Sequence, residues 1–125
     1  MITPYEPLIL FSPVARSSTT NGTGLDLRAT GVLSETSMKV VMNLGAVSGT
    51  TPTLDVKIQD SPDNSVWTDI SGAAFAQKAT AQANTIDDIH CYTKQRYVRA
   101  VATIGGTTPS FLFGLELLVL KRQAN

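Results

Sequence analysis

The tetrapeptide Gly-Thr-Thr-Pro occurs twice in this chain, in VSGTTPTLDVKI at residues 47–58 and in IGGTTPSFLFGLELL at residues 104–118. Each copy lies between two segments that are rich in strand-forming residues. Glycine adopts positive φ at little cost, and proline interrupts a hydrogen-bonded ladder. Each copy is therefore predicted to be the turn of a β-hairpin, and the repeat indicates an antiparallel β protein.

Apolar and polar residues alternate along most of the chain after Leu25. The clearest example is LDVKIQD at residues 54–60, where Leu54, Val56 and Ile58 share one face. A two-residue period is typical of a strand that packs on one face and meets water on the other. The same period recurs at residues 25–29, 38–44, 66–71 and 96–104.

Turn-forming residues separate these segments. QDSPDNSVW at residues 59–67 predicts a third hairpin turn. Residues 72–84, GAAFAQKATAQAN, lack an apolar stripe at helical spacing and predict a long connection with at most one helical turn. About seven or eight short strands, with turns at intervals of roughly 8–12 residues, predict an all-β antiparallel sandwich or jelly roll. We assign this domain to residues 25–125.

Residues 1–24 differ from the rest of the chain. Prolines prevent a helix there, LILF at residues 8–11 is strongly apolar, and residues 16–24 are polar and turn-rich. Two interpretations stay open. The segment is either an edge strand of the sandwich or an extended arm that docks on a neighbouring subunit.

The last predicted strand, at residues 111–121, is apolar on both faces and needs a cover on both. The second cover is either an internal loop or a neighbouring subunit. Exposing its leucines would cost about 1.5–3 kcal/mol each, enough to favour association. Together with the apolar N-terminal segment, this strand predicts a subunit or capsid interface at Pro4, Tyr5, Pro7, Leu8, Leu10, Phe11, Leu112, Leu118 and Leu120.

The composition argues against several classes of protein. Ten basic and ten acidic residues give a formal net charge of zero, which disfavours nucleic acid and anionic membranes as partners. Cys91 is the single cysteine, so an internal disulfide is excluded. The N-terminal sequence has no basic region ahead of its apolar run, and we expect neither a signal peptide nor a membrane span.

The residues with the most chemical potential lie in TIDDIHCY at residues 85–92. His90 and Cys91 are adjacent in a predicted strand and should point to opposite faces, which argues against a catalytic dyad. One histidine and one cysteine are also too few for a zinc site. Asp60, Asp63 and Asn64 form a turn cluster without the spacing of a calcium loop. We therefore expect no enzyme activity, no cofactor and no metal.

Two further groups of residues, one aromatic and one basic, each have a binding interpretation and a structural one. Trp67, Tyr92 and Tyr97 could form a stacking platform for a sugar or a base, although strand aromatics are more often part of the core. A short basic stripe at Lys94, Arg96 and Arg99 is more typical of a solvated strand face than of a nucleic-acid site.

Two segments, TLDVKIQDSPDNSVWTDISGAAFAQ at residues 53–77 and RYVRAVATIGGTTPSFLFGLEL at residues 96–117, resemble a family of small virion proteins of tailed bacteriophages. The resemblance implies a β-sandwich or jelly-roll protein that coats the phage head. Such decoration or cement proteins typically form homotrimers and clamp neighbouring major capsid subunits. Residues 1–24 lie outside the resemblance.

Two functions follow as hypotheses. The first is a capsid decoration protein, made in the host cytoplasm, that binds the outer surface of the mature head and stabilises it. Its partners would be the major capsid protein and other copies of itself. The alternative is a tail or fibre module that binds a carbohydrate or a receptor.

Overall fold

The structure, a computed structural model, describes residues 5–27 and 36–120. All strand pairs in these ranges are antiparallel, and the predicted all-β sandwich is confirmed. A single 3₁₀ turn lies at Thr80–Gln82. The strands are β1 Tyr5–Arg16, β2 Thr20–Asn21, β3 Leu25–Asp26, β4 Thr36–Ser61, β5 Thr68–Ala74, β6 Thr85–Thr93 and β7 Tyr97–Leu120.

Two long strands organise the fold. β4 has 26 residues and β7 has 24, and they pair from Met38 opposite Val119 to Ser61 opposite Tyr97. The prediction that each Gly-Thr-Thr-Pro is a hairpin turn is wrong. The two copies lie opposite each other within this one ladder, where register shifts interrupt the pairing around Thr50. The tetrapeptides therefore form a corner at which both strands bend together.

Backbone geometry explains why the same residues are needed on both strands at the corner. Gly49 and Gly106 have φ of 115° and 109°, and Thr51 and Thr108 have φ of 46° and 45°. A Cβ at Gly49 would lie 2.7 Å from the Thr108 carbonyl oxygen, and one at Gly106 would lie 2.6 Å from that of Thr51. Each glycine thus packs against the backbone of the other copy, in an arrangement with approximate two-fold symmetry.

The corner divides the strands into two groups, which we name sheet A and sheet B. Sheet A contains β1, residues 110–120 of β7, residues 36–48 of β4, and β6. Sheet B contains β2, β3, residues 97–105 of β7, residues 53–61 of β4, and β5. Because β4 and β7 run through both, the sandwich is one continuous sheet folded over on itself.

The inner faces of the two sheets meet in a single core. The predicted alternation at residues 38–44 and 54–58 is confirmed, because every second residue there is at most 2% exposed and the residues between them are not buried. Both halves of β7 also contribute buried side chains to this core. The largest fully buried side chains are Leu27, Met38, Val40, Met42, Leu44, Leu54, Val56, Ile58, Phe111, Phe113, Leu115 and Leu117. Val98, Ala100 and Ala102 of β7 are also fully buried.

β1 lies at the edge of sheet A and pairs with β7 of the same chain. A register shift between Ile9 and Phe11 allows two consecutive residues, Leu10 and Phe11, to point into the core. The Phe11 and Phe113 rings make an edge-on contact with centroids 5.6 Å apart. The Arg16 guanidinium lies over both rings, 4.6 and 5.0 Å from their centroids. These contacts attach the N-terminal strand to its own domain.

The predicted hairpin at residues 59–67 is confirmed, since β4 and β5 pair antiparallel on either side of it. Its turn is closed by the Asp63 carboxylate, which accepts hydrogen bonds from the amides of Ser65 and Val66, both at 3.0 Å. The connection from β5 to β6 contains one 3₁₀ turn, as predicted for residues 72–84.

Replacing Gly106 with alanine tests the role of the corner. Gly106→Ala should lower the free energy of unfolding by about 1–3 kcal/mol more than Gly72→Ala, because overpacking adds to backbone strain. Gly72 is a matched control, since its φ is also positive, at 76°, but a Cβ there meets nothing within 4 Å. Urea denaturation measures both values. Equal losses would show that the contact across the corner contributes nothing.

Candidate functional site

His90 and Cys91 lie in β6 with their side chains on opposite faces of sheet A. His90 is exposed on the outer face, whereas Cys91 is half-buried and packs against the core. Burial, together with the nearby Asp60 carboxylate, raises the pKa of the Cys91 thiol to about 11. A thiol with this pKa is almost entirely protonated at neutral pH and is a poor nucleophile. The geometry therefore does not bring the two residues together for catalysis.

The thiol of Cys91 should react slowly in the folded protein. A pKa near 11 instead of 9.0 leaves about a hundredfold less thiolate at pH 8. We expect iodoacetamide to modify the native thiol at least about a hundredfold more slowly than the thiol of the urea-unfolded chain. Equal modification rates for the native and the unfolded thiol, measured by mass spectrometry, would contradict a partly buried thiol with a raised pKa.

The acidic turn after β4 is satisfied within the protein. Hydrogen bonds from the Val66 amide, the Ser61 hydroxyl and the Ser65 amide lower the pKa of Asp63. Asp60 accepts a hydrogen bond of 2.8 Å from the Thr93 hydroxyl. Across residues 5–27 and 36–120, the structure contains no group of three or more His, Cys, Asp or Glu residues arranged to hold a metal ion.

The three aromatic residues considered for a stacking platform do not lie on one sheet. Tyr92 lies in β6 of sheet A, whereas Tyr97 begins β7 in sheet B. Trp67 is half-buried; the Arg99 guanidinium lies 4.6 Å from its ring centroid, and a Cβ on Gly24 would be 3.0 Å from the ring. The indole is therefore engaged in contacts of its own domain.

The two arginines of the basic stripe are engaged within the domain. Arg96 donates two hydrogen bonds to Asp26, at 2.9 and 2.7 Å, and this carboxylate raises the pKa of Arg96. Arg99 donates to the side-chain oxygen of Gln59 at 2.9 Å, in addition to its contact with Trp67. These contacts join neighbouring segments of sheet B, and only the charge of Arg96 is matched by a carboxylate among them.

An ion pair between the sheets was not found by sequence reasoning. Lys78 follows β5, pairs with Leu54 through both backbone hydrogen bonds, and its side chain is only 8% exposed. Its ammonium group donates to Asp87 Oδ2 of β6 at 2.6 Å, which lowers the pKa of Asp87. Sheet B is thereby tied to sheet A along the β5–β6 side. Lys78 lies in a segment predicted only as a connection, so no local pattern identified this contact.

The Asp87–Lys78 pair predicts a loss of stability in acid. Because the pKa of Asp87 is lower in the folded state, its stabilisation is fully present above the unfolded pKa, about 3.9, and is lost as pH falls through the folded value. Asp87→Asn should lower the free energy of unfolding at pH 7 by about 1–3 kcal/mol, since it leaves a buried ammonium group without its anion.

The same variant should lose less stability than the wild type between pH 5 and pH 2. The control is Asp88→Asn, whose partner Lys39 is 42% exposed and lies 3.0 Å away on the outer face. An exposed pair contributes little, so this change should have a small effect at pH 7. If the free energy of unfolding depends on pH identically in Asp87→Asn and the wild type, protonation of Asp87 does not contribute to the loss of stability in acid.

The outer face of sheet A carries the largest set of exposed apolar side chains in the described structure. They come from three of its four strands, with Ile86 at 71%, Ile9 at 60% and Leu112 at 39% exposed, and half-buried Val41 of β4 lies on the same face. Ile9, Pro13, Val41 and Ile86, together with the polar residues Asn43 and Glu116, line a cavity of about 350 Å³ in this face. An apolar surface of this kind is suited to contact another protein. We take the outer face of sheet A as the candidate site.

Part of the predicted interface is used within the chain. Leu10 and Phe11 are 6% and 5% exposed and belong to the core, and half-buried Leu8 packs against that core. These three side chains serve the fold of a single copy. Pro4 lies outside the described residues.

The remaining predicted interface residues lie in β1 and β7 of sheet A. Leu112 is exposed and Leu118 is half-buried there. The backbones of Tyr5 and Leu120 pair with each other, and that of Pro7 pairs with Leu118. The side chains of Tyr5, Pro7 and Leu120 are outside the described part of the structure.

Comparison with known proteins gives a structural likeness. No protein-family model matches the chain, and no curated protein matches its sequence. The fold is similar to the crystal structure of PBSX exported protein XepA, with a TM-score of 0.63 and 21% sequence identity. The likeness covers 96% of this chain and 38% of the XepA chain. The described residues include no helix long and apolar enough to cross a bilayer.

Proposed function

We propose that this chain is a structural protein of a phage particle and acts as a capsid decoration protein. Its fold is similar to that of XepA, a phage PBSX protein, and this likeness supports a virion-related role. The sequence resemblance to small virion proteins points to the head. The likeness covers only 38% of the XepA chain. The binding partners of the present chain are therefore proposed and are not taken from XepA.

The observation that carries the proposal is the outer face of sheet A. It presents isoleucine and leucine side chains from several strands, and its Lys39–Asp88 pair is already neutralised. Burial of apolar surface contributes about 25 cal/mol per Å². A protein partner that binds here also has to accommodate the exposed Glu116 carboxylate with a polar or basic group. We assign this face to contact with the major capsid protein and with other copies of the chain in a homotrimer.

The mechanism is thermodynamic linkage. A protein that binds the assembled, mature shell and not its separated subunits adds its binding free energy to the stability of the shell. Several copies joined around one axis increase the effective affinity of each contact. The continuous β4–β7 ladder suits this role, because a load applied to sheet A is transmitted through covalent strands into sheet B.

The proposal includes no enzymatic activity. The separation of His90 from Cys91 and the high pKa of the thiol support a non-catalytic role. The protein would be assembled in the host cytoplasm and would lie on the outer capsid surface. The alternative, a tail or fibre module that binds a glycan or receptor, would depend on Trp67. Since Arg99 covers this indole, the decoration role is better supported.

Binding to phage heads tests the proposal. The purified full chain should attach to expanded, empty heads of its own phage and should raise their melting temperature. Leu112→Asp and Ile9→Asp should each weaken attachment at least about tenfold, because each places a carboxylate in a desolvated contact. Val66→Asp is the matched control, since Val66 is 65% exposed but lies in the β4–β5 turn.

Cryo-electron microscopy of decorated heads and co-sedimentation measure attachment, and calorimetry measures the melting temperature of the heads. The proposal fails if the wild-type chain does not bind heads, or if both sheet A variants bind as well as Val66→Asp. Saturable binding on a glycan array that is abolished by Trp67→Ala would favour the alternative instead.

A further inference from the structure

β6 is a regular strand with one free edge. Among the described strands it pairs only with β4, through nine consecutive residue pairs without a register shift. The edge strand β1 contains Pro7 and Pro13 and two register shifts, and the edge strand β5 has a register shift and Gly72 at positive φ. Such irregularities protect sheet edges from pairing, whereas a regular edge strand is a template for another strand. β6, with no proline, has none of them.

The sequence of β6 reads TIDDIHCYT, with Ile89 at its centre. Its outer positions match in chemical type about this centre, since Thr85 corresponds to Thr93 and Ile86 to Tyr92. If two copies pair antiparallel about a two-fold axis at Ile89, residue 88 of one copy lies opposite residue 90 of the other, and residue 86 lies opposite residue 92. In a two-fold contact each of these pairs occurs twice.

The side chains on the outer face match in this register. Ile86 is 71% and Tyr92 is 48% exposed, and the register places these two apolar groups opposite each other. Asp88 faces His90, so a carboxylate meets a hydrogen-bond donor. Both kinds of cross-strand pair are favourable. A two-fold axis at Asp88 would instead place two Asp88 carboxylates opposite each other, which is unfavourable.

We infer that the free edge of β6 is a self-association site at which two copies of this chain pair antiparallel about Ile89. Pairing extends sheet A of one copy into sheet A of the other and covers two exposed apolar residues on each copy. This inference goes beyond the proposed function and does not rest on it. It places the two outer faces side by side on one continuous surface.

The mass of the full chain in solution tests the inference. Sedimentation equilibrium of the wild type should give a dimer, or six chains if a trimer forms elsewhere on the surface. His90→Asp should raise the dissociation constant at least about tenfold, because it places two carboxylates opposite each other twice. The exchange Asp88→His with His90→Asp restores both opposite pairs and should return the dissociation constant to within about threefold of the wild type.

A second β6 variant and a control outside β6 make the test independent of the substitutions at residues 88 and 90. Ile86→Lys alters a highly exposed residue, should fold normally, and should weaken the dimer at least about tenfold. Val66→Lys changes an equally exposed valine outside β6 and should leave the mass unchanged. Circular dichroism verifies the fold of each variant.

The inference is overturned if the wild type has a mass of one or three chains throughout the concentration range. It is also overturned if folded His90→Asp and Ile86→Lys associate like the wild type, or if the exchange fails to restore association. These readouts do not involve phage heads. A dimer that does not bind heads would count against the proposed function alone, and a trimer that binds heads would count against the β6 contact alone.

Discussion

The close contact between the two Gly-Thr-Thr-Pro copies is the constraint on which the fold depends. A ladder of this length cannot enclose a core while it remains open, so both central strands must bend at the same level. The bend is possible because Gly49 and Gly106 adopt positive φ, and because neither has a Cβ that would collide with the facing backbone. Once bent, the inner faces of both halves are buried together.

This architecture separates the residues that maintain the fold from those available to partners. Phe11, Phe113 and the alternating residues of β4 and β7 are committed to the core, and the Lys78–Asp87 pair closes one side of the sandwich. In the described part of the chain, the outer face of sheet A and the free edge of β6 have no such task within one copy. A structural subunit that clamps neighbours and a strand that pairs with a second copy both use these surfaces, and neither requires a catalytic centre.

The candidate site was only partly predictable from the sequence. The double apolar character of residues 111–118 indicated that Leu112 and Leu118 lie away from the core, because side chains alternate along a strand. The same reasoning could not separate Leu10 and Phe11 from an interface, since a register shift in β1 turns both of them inward. Ile9, Val41 and Ile86 come together only because β1, β4 and β6 are neighbours of β7 or of each other in one sheet.

Local sequence patterns were enough to predict the antiparallel β class, the inward residues of β4, the turn at residues 59–67 and the opposite directions of His90 and Cys91. Each of these follows from side-chain alternation or turn chemistry within one short segment. Contacts in three dimensions were needed to show that the repeated tetrapeptides form a shared corner and not two separate turns. They also showed that Lys78 meets Asp87. Both depend on contacts between residues distant along the chain, and the conformational preferences of one segment do not specify which other segment it will face.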